Sequence, residues 1–265
     1  MKILTLNLHC FEEETLDNNQ QLISDFIREL DIDIIYLQEV AQSFNSSVYD
    51  GRIKTDNYGK RIMDKLVNMG LTYFYYYDYG KQAFGKVDEG LGIISKYRLF
   101  NKESFYVSRE TSYDTWWTRK IIKASIRYNN TIIDLVNVHL GWTGYDEIFE
   151  NQVDLLIDNL DFDNTNLLAG DFNVSENSDG YKYVLSKGLN DLYFNNNMDY
   201  FHDVTHRDYI DEKKIATRID YVMSNEEFDT KDRKIVFKDK RVSDHFGVYI
   251  EIEFKEVDEW YLKKI

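Results

Sequence analysis

The stretch Ile32–Gln38 (IDIIYLQ) constrains this chain more than any other feature. An apolar run of strand length has to be covered on both sides, and a central strand of a sheet with layers above and below it offers that environment. Just before it, Leu16 to Leu30 carries Leu22, Ile23, Phe26, Ile27 and Leu30 on one stripe, the spacing of an amphipathic helix. Ile3–Leu8, apolar and alternating, supplies a strand before that helix. Strand, amphipathic helix and buried strand in succession open an α/β fold.

The same logic runs on. Strands are expected at Tyr73–Tyr79, Leu91–Ser95, Ile121–Tyr128, Thr131–His139, Asn166–Ala169, Arg218–Met223, Lys234–Lys238 and Val248–Phe254. Helices are expected at Ile62–Met69, Asp146–Leu160 and Asp179–Lys187, with an irregular polar stretch over 41–60. Hairpin-like strand pairs across 91–139 argue against a doubly wound parallel sheet. The order fits a four-layer α/β/β/α sandwich, two mixed sheets flanked by helices. No linker, repeat or low-complexity segment divides the chain, so one domain over residues 1–265 is expected.

Composition narrows the function classes. The net charge is −15 and Lys and Arg form no block, which disfavours a partner such as a long nucleic-acid duplex, whose phosphates call for a basic face. No apolar run of about 18 residues exists, so no transmembrane helix is expected. The first residues read as a strand rather than a signal peptide, and the single cysteine, Cys10, cannot form an intrachain disulfide. Both lead us to expect a cytoplasmic protein.

Six short segments place a polar or acidic residue where an apolar strand runs out: Leu6-Asn7, LQEV at 37–40, VNVHL at 136–140, AGDFN at 169–173, RIDY at 218–221 and SDHF at 243–246. A single strand-end Asp or Asn is most often a turn former. Six of them suggest strand ends gathered at one rim, where sheet proteins commonly bind ligands. His202 and His206 stand four apart, but without a helical pattern or an adjacent glutamate they do not read as a zinc site.

In order and spacing, LQEV, GDFN, RIDY and SDHFG resemble the motifs of the endonuclease/exonuclease/phosphatase superfamily, over nearly the whole chain from Lys2 to Phe254. HLGW, GDFN and the RIDYVM…VSDHFGV ending resemble a bacterial branch of cytosolic hydrolases. The resemblance implies the deoxyribonuclease-I-like sandwich and a Mg²⁺-dependent phosphoester hydrolase, with Mn²⁺ as an acceptable substitute. It implies Glu39 as a metal ligand, completed or flanked by Asn7 and Asp244; a hard cation that keeps several waters needs few carboxylates. It further implies Asp171 orienting or deprotonating the attacking water, Asn173 donating to a phosphate oxygen, and His245, held by Asp220, hydrogen-bonding the phosphate. His139 would be the second imidazole, with Glu89 as its carboxylate partner, and Arg119 would reach a substrate phosphate.

The function expected is therefore hydrolysis of a phosphodiester or phosphomonoester by in-line attack of an activated water. The substrate is expected to be a small phosphate-bearing molecule or a phospholipid headgroup. The loops at 41–60, 104–119 and 200–217 would set specificity, with Arg52, Lys54, Arg61, Arg109 and Lys213 available to an anion. Two readings stand beside it: a Mg²⁺-dependent endo- or exonuclease on DNA or RNA, and a non-catalytic module that binds a phospho-ligand for regulation.

Overall fold

The computed structural model describes residues 1–144, 147–194, 203–210 and 213–255. The first half of the chain runs β1 (Lys2–Asn7), α1 (Leu16–Leu30), β2 (Ile34–Ser43), β3 (Val48–Asp50), β4 (Ile53–Lys54), α2 (Tyr58–Asn68), β5 (Phe74–Ala83), β6 (Val87–Ser95) and β7 (Phe100–Tyr106). It continues β8 (Lys120–Tyr128), β9 (Thr131–His139), α3 (Phe149–Asp158), β10 (Thr165–Asp171), α4 (Asp179–Ser186) and β11 (Asn190–Asp191). The last elements are β12 (His206–Ile210), β13 (Lys213–Thr217), β14 (Asp220–Ser224), β15 (Phe228–Val236) and β16 (Gly247–Phe254).

Two large sheets result, in the orders β15-β16-β1-β2-β6-β5 and β11-β14-β10-β9-β8-β7. Each is mixed: β1 and β2 run parallel in the first, β9 and β10 in the second, and the other pairs are antiparallel. Strand residues two apart share a face, and the core shows which face is which. Ile3, Ile34, Tyr36, Leu91 and Ile93 of the first sheet meet Ile122, Ala124, Leu135, Leu167, Ala169 and Val222 of the second. The outer face of the first sheet (Leu4, Leu6, Ile35, Leu37) packs on Ile23 and Ile27 of α1 and Ile62 and Leu66 of α2. Val136, Val138, Leu168 and Met223 pack on Val153 and Leu156 of α3 and Val184 of α4. The four-layer sandwich expected from the sequence is the observed fold. Each fully buried Leu or Ile in these layers contributes about 1.5–3 kcal/mol from burial alone.

Between the sheets the apolar filling gives way near one rim to a polar layer. Gln38 Nε2 donates to Asn137 Oδ1 across the sandwich (2.7 Å) and to Thr5 Oγ1 beside it (3.1 Å). Asn137 Nδ2 in turn donates to the carbonyls of Leu37 (2.9 Å) and Gly92 (2.8 Å). All three side chains are fully buried, so these bonds satisfy groups that would otherwise be orphaned.

The stretch 41–60 is not irregular. It holds the end of β2, the β3–β4 hairpin and the start of α2, whose N-cap is Asn57: its side chain accepts from Lys60 N. β7 went unpredicted because its pattern Phe-Asn-Lys-Glu-Ser-Phe-Tyr is polar along its middle, as befits an edge strand with one neighbour. β15 is the other correction: the last but one strand begins at Phe228, not Lys234, and a bulge at Thr230/Asp232 breaks its alternation. The helix expected from Asp146 is described from Phe149; Asp146 itself lies outside the described residues.

Candidate active site

The inward-facing rows of four strands turn from apolar to polar at one level. β1 reads Ile3, Thr5, Asn7; β9 reads Ile133, Leu135, Asn137, His139; β10 reads Leu167, Ala169, Asp171; β14 begins with Asp220 and continues to Val222. Register aligns them: Asn7 lies opposite Gln38, and Asp171 opposite both His139 and Asp220. β10 can close on β9 here because residue 170 is glycine. A Cβ on Gly170 would sit 1.9 Å from the Val138 carbonyl oxygen, and its φ of +148° belongs to the region L side chains avoid.

Glu39 reaches this rim by a different device. Gln38 and Glu39 fall in a bulge of the β2–β6 pairing, between Leu37 and Val40, and Glu39 has a φ of +49°. A bulge re-aims a side chain that strict alternation would send elsewhere. A left-handed non-glycine residue costs about 1–3 kcal/mol, which surrounding structure must sustain. Asn173 is left-handed too (φ +53°), and its backbone N–H closes an Asx turn on Asp171 Oδ1 (2.9 Å).

The groups converge on Asp171 Oδ2. Asn7 Nδ2 donates to it at 3.2 Å and to Glu39 Oε1 at 3.0 Å, bridging the two carboxylates. His139 Nε2 lies 3.7 Å away and His245 Nε2 3.8 Å away. His245 Nδ1 is held by Asp220 Oδ2 at 2.9 Å. Asp220 is in turn pinned through its backbone N–H, which donates to Thr205 Oγ1 (3.2 Å). The predicted Asp220–His245 pair is thus present in the geometry.

Charge is distributed unevenly. Burial and the neighbouring Asp220 carboxylate push Asp171 up to about 7, against which the nearby His245 works. Burial disfavours a charged His245, but Asp220, Asp171 and Asp244 outweigh it and carry the imidazole up to about 10. His139 goes the other way: burial, with the Arg119 and Lys81 cations beside it, holds it well below the usual histidine value. Burial and the Glu89 charge raise Glu39 above its ordinary range. One imidazole is charged and the other neutral at pH 7.

The donor set fits a divalent cation. Burial raises Glu39 and Asp171, neighbouring carboxylates raise them further, and one amide bridges both. Asp220 Oδ1 and Asn173 Oδ1 are buried acceptors without a partner. Ligand atoms of Asp171, Asp220 and His245 lie within 4.8 Å of one another, and so do those of His206, Asp244 and His245. Asp244 therefore stands with the second group, 3.7 Å from His9 Nδ1, while Asn7 and Glu39 stand with Asp171.

Several expectations change. Glu89 is not given to His139: it lies opposite Lys81 in the β5–β6 pairing, and its Oε1 is 3.1 Å from Lys81 Nζ. A buried lysine beside a buried carboxylate is the cheaper arrangement, since each neutralises the other. Asn173 Nδ2 donates to the Leu140 carbonyl (2.9 Å), so only its second N–H is left for a ligand. Arg119 does stand at the site, lining one small hollow with Lys81, Glu89 and His139. Of the basic residues expected to be available, Arg52 pairs with Asp78 (2.8 Å) and Lys54 with Asp88 (2.7 Å). The loops are also more structured than expected, since 104–106 belong to β7 and 206–217 contain β12 and β13. The side chain of Lys213 lies outside the described residues.

His206, whose spacing from His202 does not read as a zinc site, stands at the site. Its ring centroid is 4.6 Å from that of His245 and 6.1 Å from that of Trp142, and the two histidines form a backbone bridge. His202 lies outside the described residues. Lys81 was missed as well. Its position in the run YFYYYDYGK gave no sign that β5 would continue through Gly80 toward the rim. Exposed Trp116 and Trp142 flank a neighbouring hollow that Arg119 also lines.

Known proteins bear on this arrangement. The model of the Endonuclease/Exonuclease/phosphatase family matches residues 4–245. An endonuclease/exonuclease/phosphatase family protein from Leptotrichia buccalis C-1013-b is 28% identical, with a TM-score of 0.88, covering 96% of this chain and 100% of that one. D. rerio TDP2 complexed with single strand DNA product (12% identical, TM-score 0.68, covering 96% of this chain and 98% of that one) shares the fold. So does the Bacteroides thetaiotaomicron VPI-5482 mannosyl-6-phosphatase Bt3783 (18% identical, TM-score 0.63, covering 96% of this chain and 100% of that one). No curated protein matches the sequence. The family match begins within β1 and ends on His245, spanning the strand ends that carry Asn7, Asp171 and Asp220 and the β2 bulge that carries Glu39, and with it the chain belongs to the endonuclease/exonuclease/phosphatase family.

Proposed function

We propose that this chain is a metal-dependent hydrolase of phosphoester bonds, acting on a small phosphate-bearing molecule or a phospholipid headgroup. The observation that supports it most is the convergence of His139 Nε2 and His245 Nε2 on Asp171 Oδ2, at 3.7 and 3.8 Å, with Asp220 behind His245. A carboxylate poised near neutrality can take a proton from water, and Asp171 sits at about 7. His245, charged and fixed by Asp220, donates a hydrogen bond to a phosphoryl oxygen, whose negative charge grows as water adds. Neutral His139 stands on the other side of Asp171 and hydrogen-bonds the phosphoryl group without repelling the cations around it. Arg119 contacts a phosphate oxygen.

Asn7 and Glu39 would hold Mg²⁺, or Mn²⁺ in its place, with Asp244 flanking, and the bound ion would supply positive charge to a phosphoryl oxygen. The chain acts as one domain, and its single cysteine supports a cytoplasmic location. Among the described residues no helix is long and apolar enough to cross a membrane.

The test is turnover of p-nitrophenyl phosphate and bis(p-nitrophenyl) phosphate with Mg²⁺ or Mn²⁺, with and without EDTA. Hydrolysis that needs the metal is expected. Turnover unaffected by chelator sinks the metal-dependent reading, and binding without turnover of any phosphoester favours a regulatory module. A second reading, a nuclease on single strands, is favoured by Trp116 and Trp142, exposed beside the site where bases could stack. The charge of −15 weighs against it, and metal-dependent cleavage of a labelled single strand would restore it.

A further inference from the structure

Residues 108–118 join β7 to β8 without regular secondary structure, yet this strap is fastened to the other sheet. Its two ends are pinned where the β7–β8 ladder stops. Val107 N–H donates to the Arg119 carbonyl at 3.0 Å, and Arg119 N–H donates to Ser108 Oγ at 2.7 Å. Beyond that pinch the strap covers the edge of β5, the outermost strand of the first sheet. There the Gln82 N–H donates to the Tyr113 carbonyl at 2.8 Å.

Two further bonds grip β5 and β6 from opposite sides. Successive strand residues face opposite ways, and Asp88 and Glu89 of β6 are both buried. Tyr113 OH donates to Asp88 Oδ1. Lys81 Nζ, held by Glu89 Oε1 at 3.1 Å, donates to the Trp116 carbonyl at 2.8 Å. Tyr113 is half-buried between exposed Ser112 and Asp114, with its ring 6.5 Å from that of Phe44 and 6.0 Å from that of Tyr79.

Asp88 is well equipped to hold its end of the bond. Its Oδ2 accepts from Lys54 Nζ (2.7 Å) and Gln42 Nε2 (3.0 Å), which leaves Oδ1 for Tyr113. Burial alone would push the carboxyl up, but these three donors outweigh it and keep it below its usual range. A bond to a charged acceptor is stronger than one between neutral groups. What is fastened here reaches the site. Thr118 and Arg119 line the hollow beside His139, and Trp116 and Trp117 line the next one with Gly141 and Trp142.

We propose that Asp88 and Tyr113 are positioning residues, a clasp that seats the 108–118 strap so that one wall of the site is in place before substrate arrives. The proposal rests on the hydrolase reading above. Without the clasp the strap is seated in only part of the population. Substrate binds the seated form, so KM rises by the inverse of the seated fraction, while kcat, a property of the bound complex, stays. A loss of folded protein does the reverse: it lowers the apparent kcat and leaves KM alone.

The experiment compares the natural chain with Tyr113→Phe, Asp88→Ala and the double variant. It reads hydrogen exchange of the 108–118 amides, and kcat and KM with Mg²⁺ for p-nitrophenyl phosphate or bis(p-nitrophenyl) phosphate, whichever the natural chain hydrolyses faster. Tyr113→Phe keeps the ring and removes only the donor. It should speed exchange in the strap about tenfold, the scale of one hydrogen bond to a charged group. Its KM should rise about three- to tenfold with kcat within about twofold. On the Asp88→Ala background Tyr113→Phe should add almost nothing, since the two residues share one bond. Melting curves show whether each variant is folded; should Asp88→Ala not fold, Tyr113→Phe alone decides. An unmoved KM or unmoved exchange in Tyr113→Phe overturns the proposal while the hydrolase reading stands, and so does a fall confined to kcat. No turnover by the natural chain ends the hydrolase reading. Faster strap exchange in Tyr113→Phe would then keep the clasp, and unchanged exchange would end it as well.

Discussion

His139 and His245 stand at almost equal distances from the same oxygen of Asp171, yet in opposite electrical surroundings. His245 has Asp220 hydrogen-bonded to one ring nitrogen and Asp171 and Asp244 nearby, and it carries its proton well past neutrality. His139 is buried, with Arg119 and Lys81 beside it, and gives its proton up. What a histidine does on this rim is set by which sheet edge supplies its neighbours. β14 and the segment before β16 bring carboxylates to His245, whereas β5 and the approach to β8 bring cations to His139. In the proposed reaction, two imidazoles driven apart in charge around one carboxylate would take different parts.

The contrast can be broken in four ways, taken from the largest expected effect down. Asp171→Asn removes the shared carboxylate, and metal-supported hydrolysis should fall by about 10²–10⁴-fold, the range of general acid–base contributions; a rate within a few-fold of the natural chain would remove Asp171 from the chemistry. Asp220→Asn leaves the imidazole in place but takes away its main source of charge. The rate should fall by about 10-fold or more, and the pH at which His245 titrates by NMR should drop. An unmoved titration would mean that Asp220 does not set the charge.

The third test reads stability in EDTA. Asp171 has a folded value near 7 against an ordinary 3.8, so its ionisation costs the folded state stability as pH rises through that window. His245 has a folded value near 10 against 6.5; the stability it contributes is complete below 6.5 and is lost as pH climbs to 10. Below about 6.5 the depressed His139 works in the opposite sense, so it is from about pH 6.5 to about pH 9 that the metal-free melting temperature should decline. Asp171→Asn should flatten the lower part and His245→Ala the upper. A melting temperature that rises across this range contradicts the assignment. The smallest effect is that of Lys81→Met, which should raise the pKa of His139 by removing one of two adjacent cations. An unchanged His139 resonance titration would leave Arg119 as the dominant neighbour.

The same contrast marks how far the sequence could be read. Thr131–His139 is a strand over the very residues expected, because its alternation is clean and its end is polar. The pairing of Asp220 with His245 is legible through the family resemblance of their motifs; Asp220 opens β14 and His245 lies just before β16. The surroundings of His139 are not legible in that way. Glu89 meets Lys81 only because the β5–β6 register shifts between Tyr79 and Lys81, and such a shift leaves no trace in residue spacing. His206 was hidden for a related reason: its neighbour His245 is 39 positions away and comes beside it through an isolated backbone bridge. Asn57 caps α2 by accepting from Lys60 N, inside a stretch whose polar composition by itself reads as irregular.

The buried amides of Gln38 and Asn137 have one more implication. If either sheet shifted along the other by a single residue, both side chains would swap a tailored partner for hydrocarbon or backbone of the wrong polarity. The sandwich therefore has one mechanical setting, much as a vernier has one coincidence. New loops can be tried above the rim without the two halves of the reaction centre ever losing alignment.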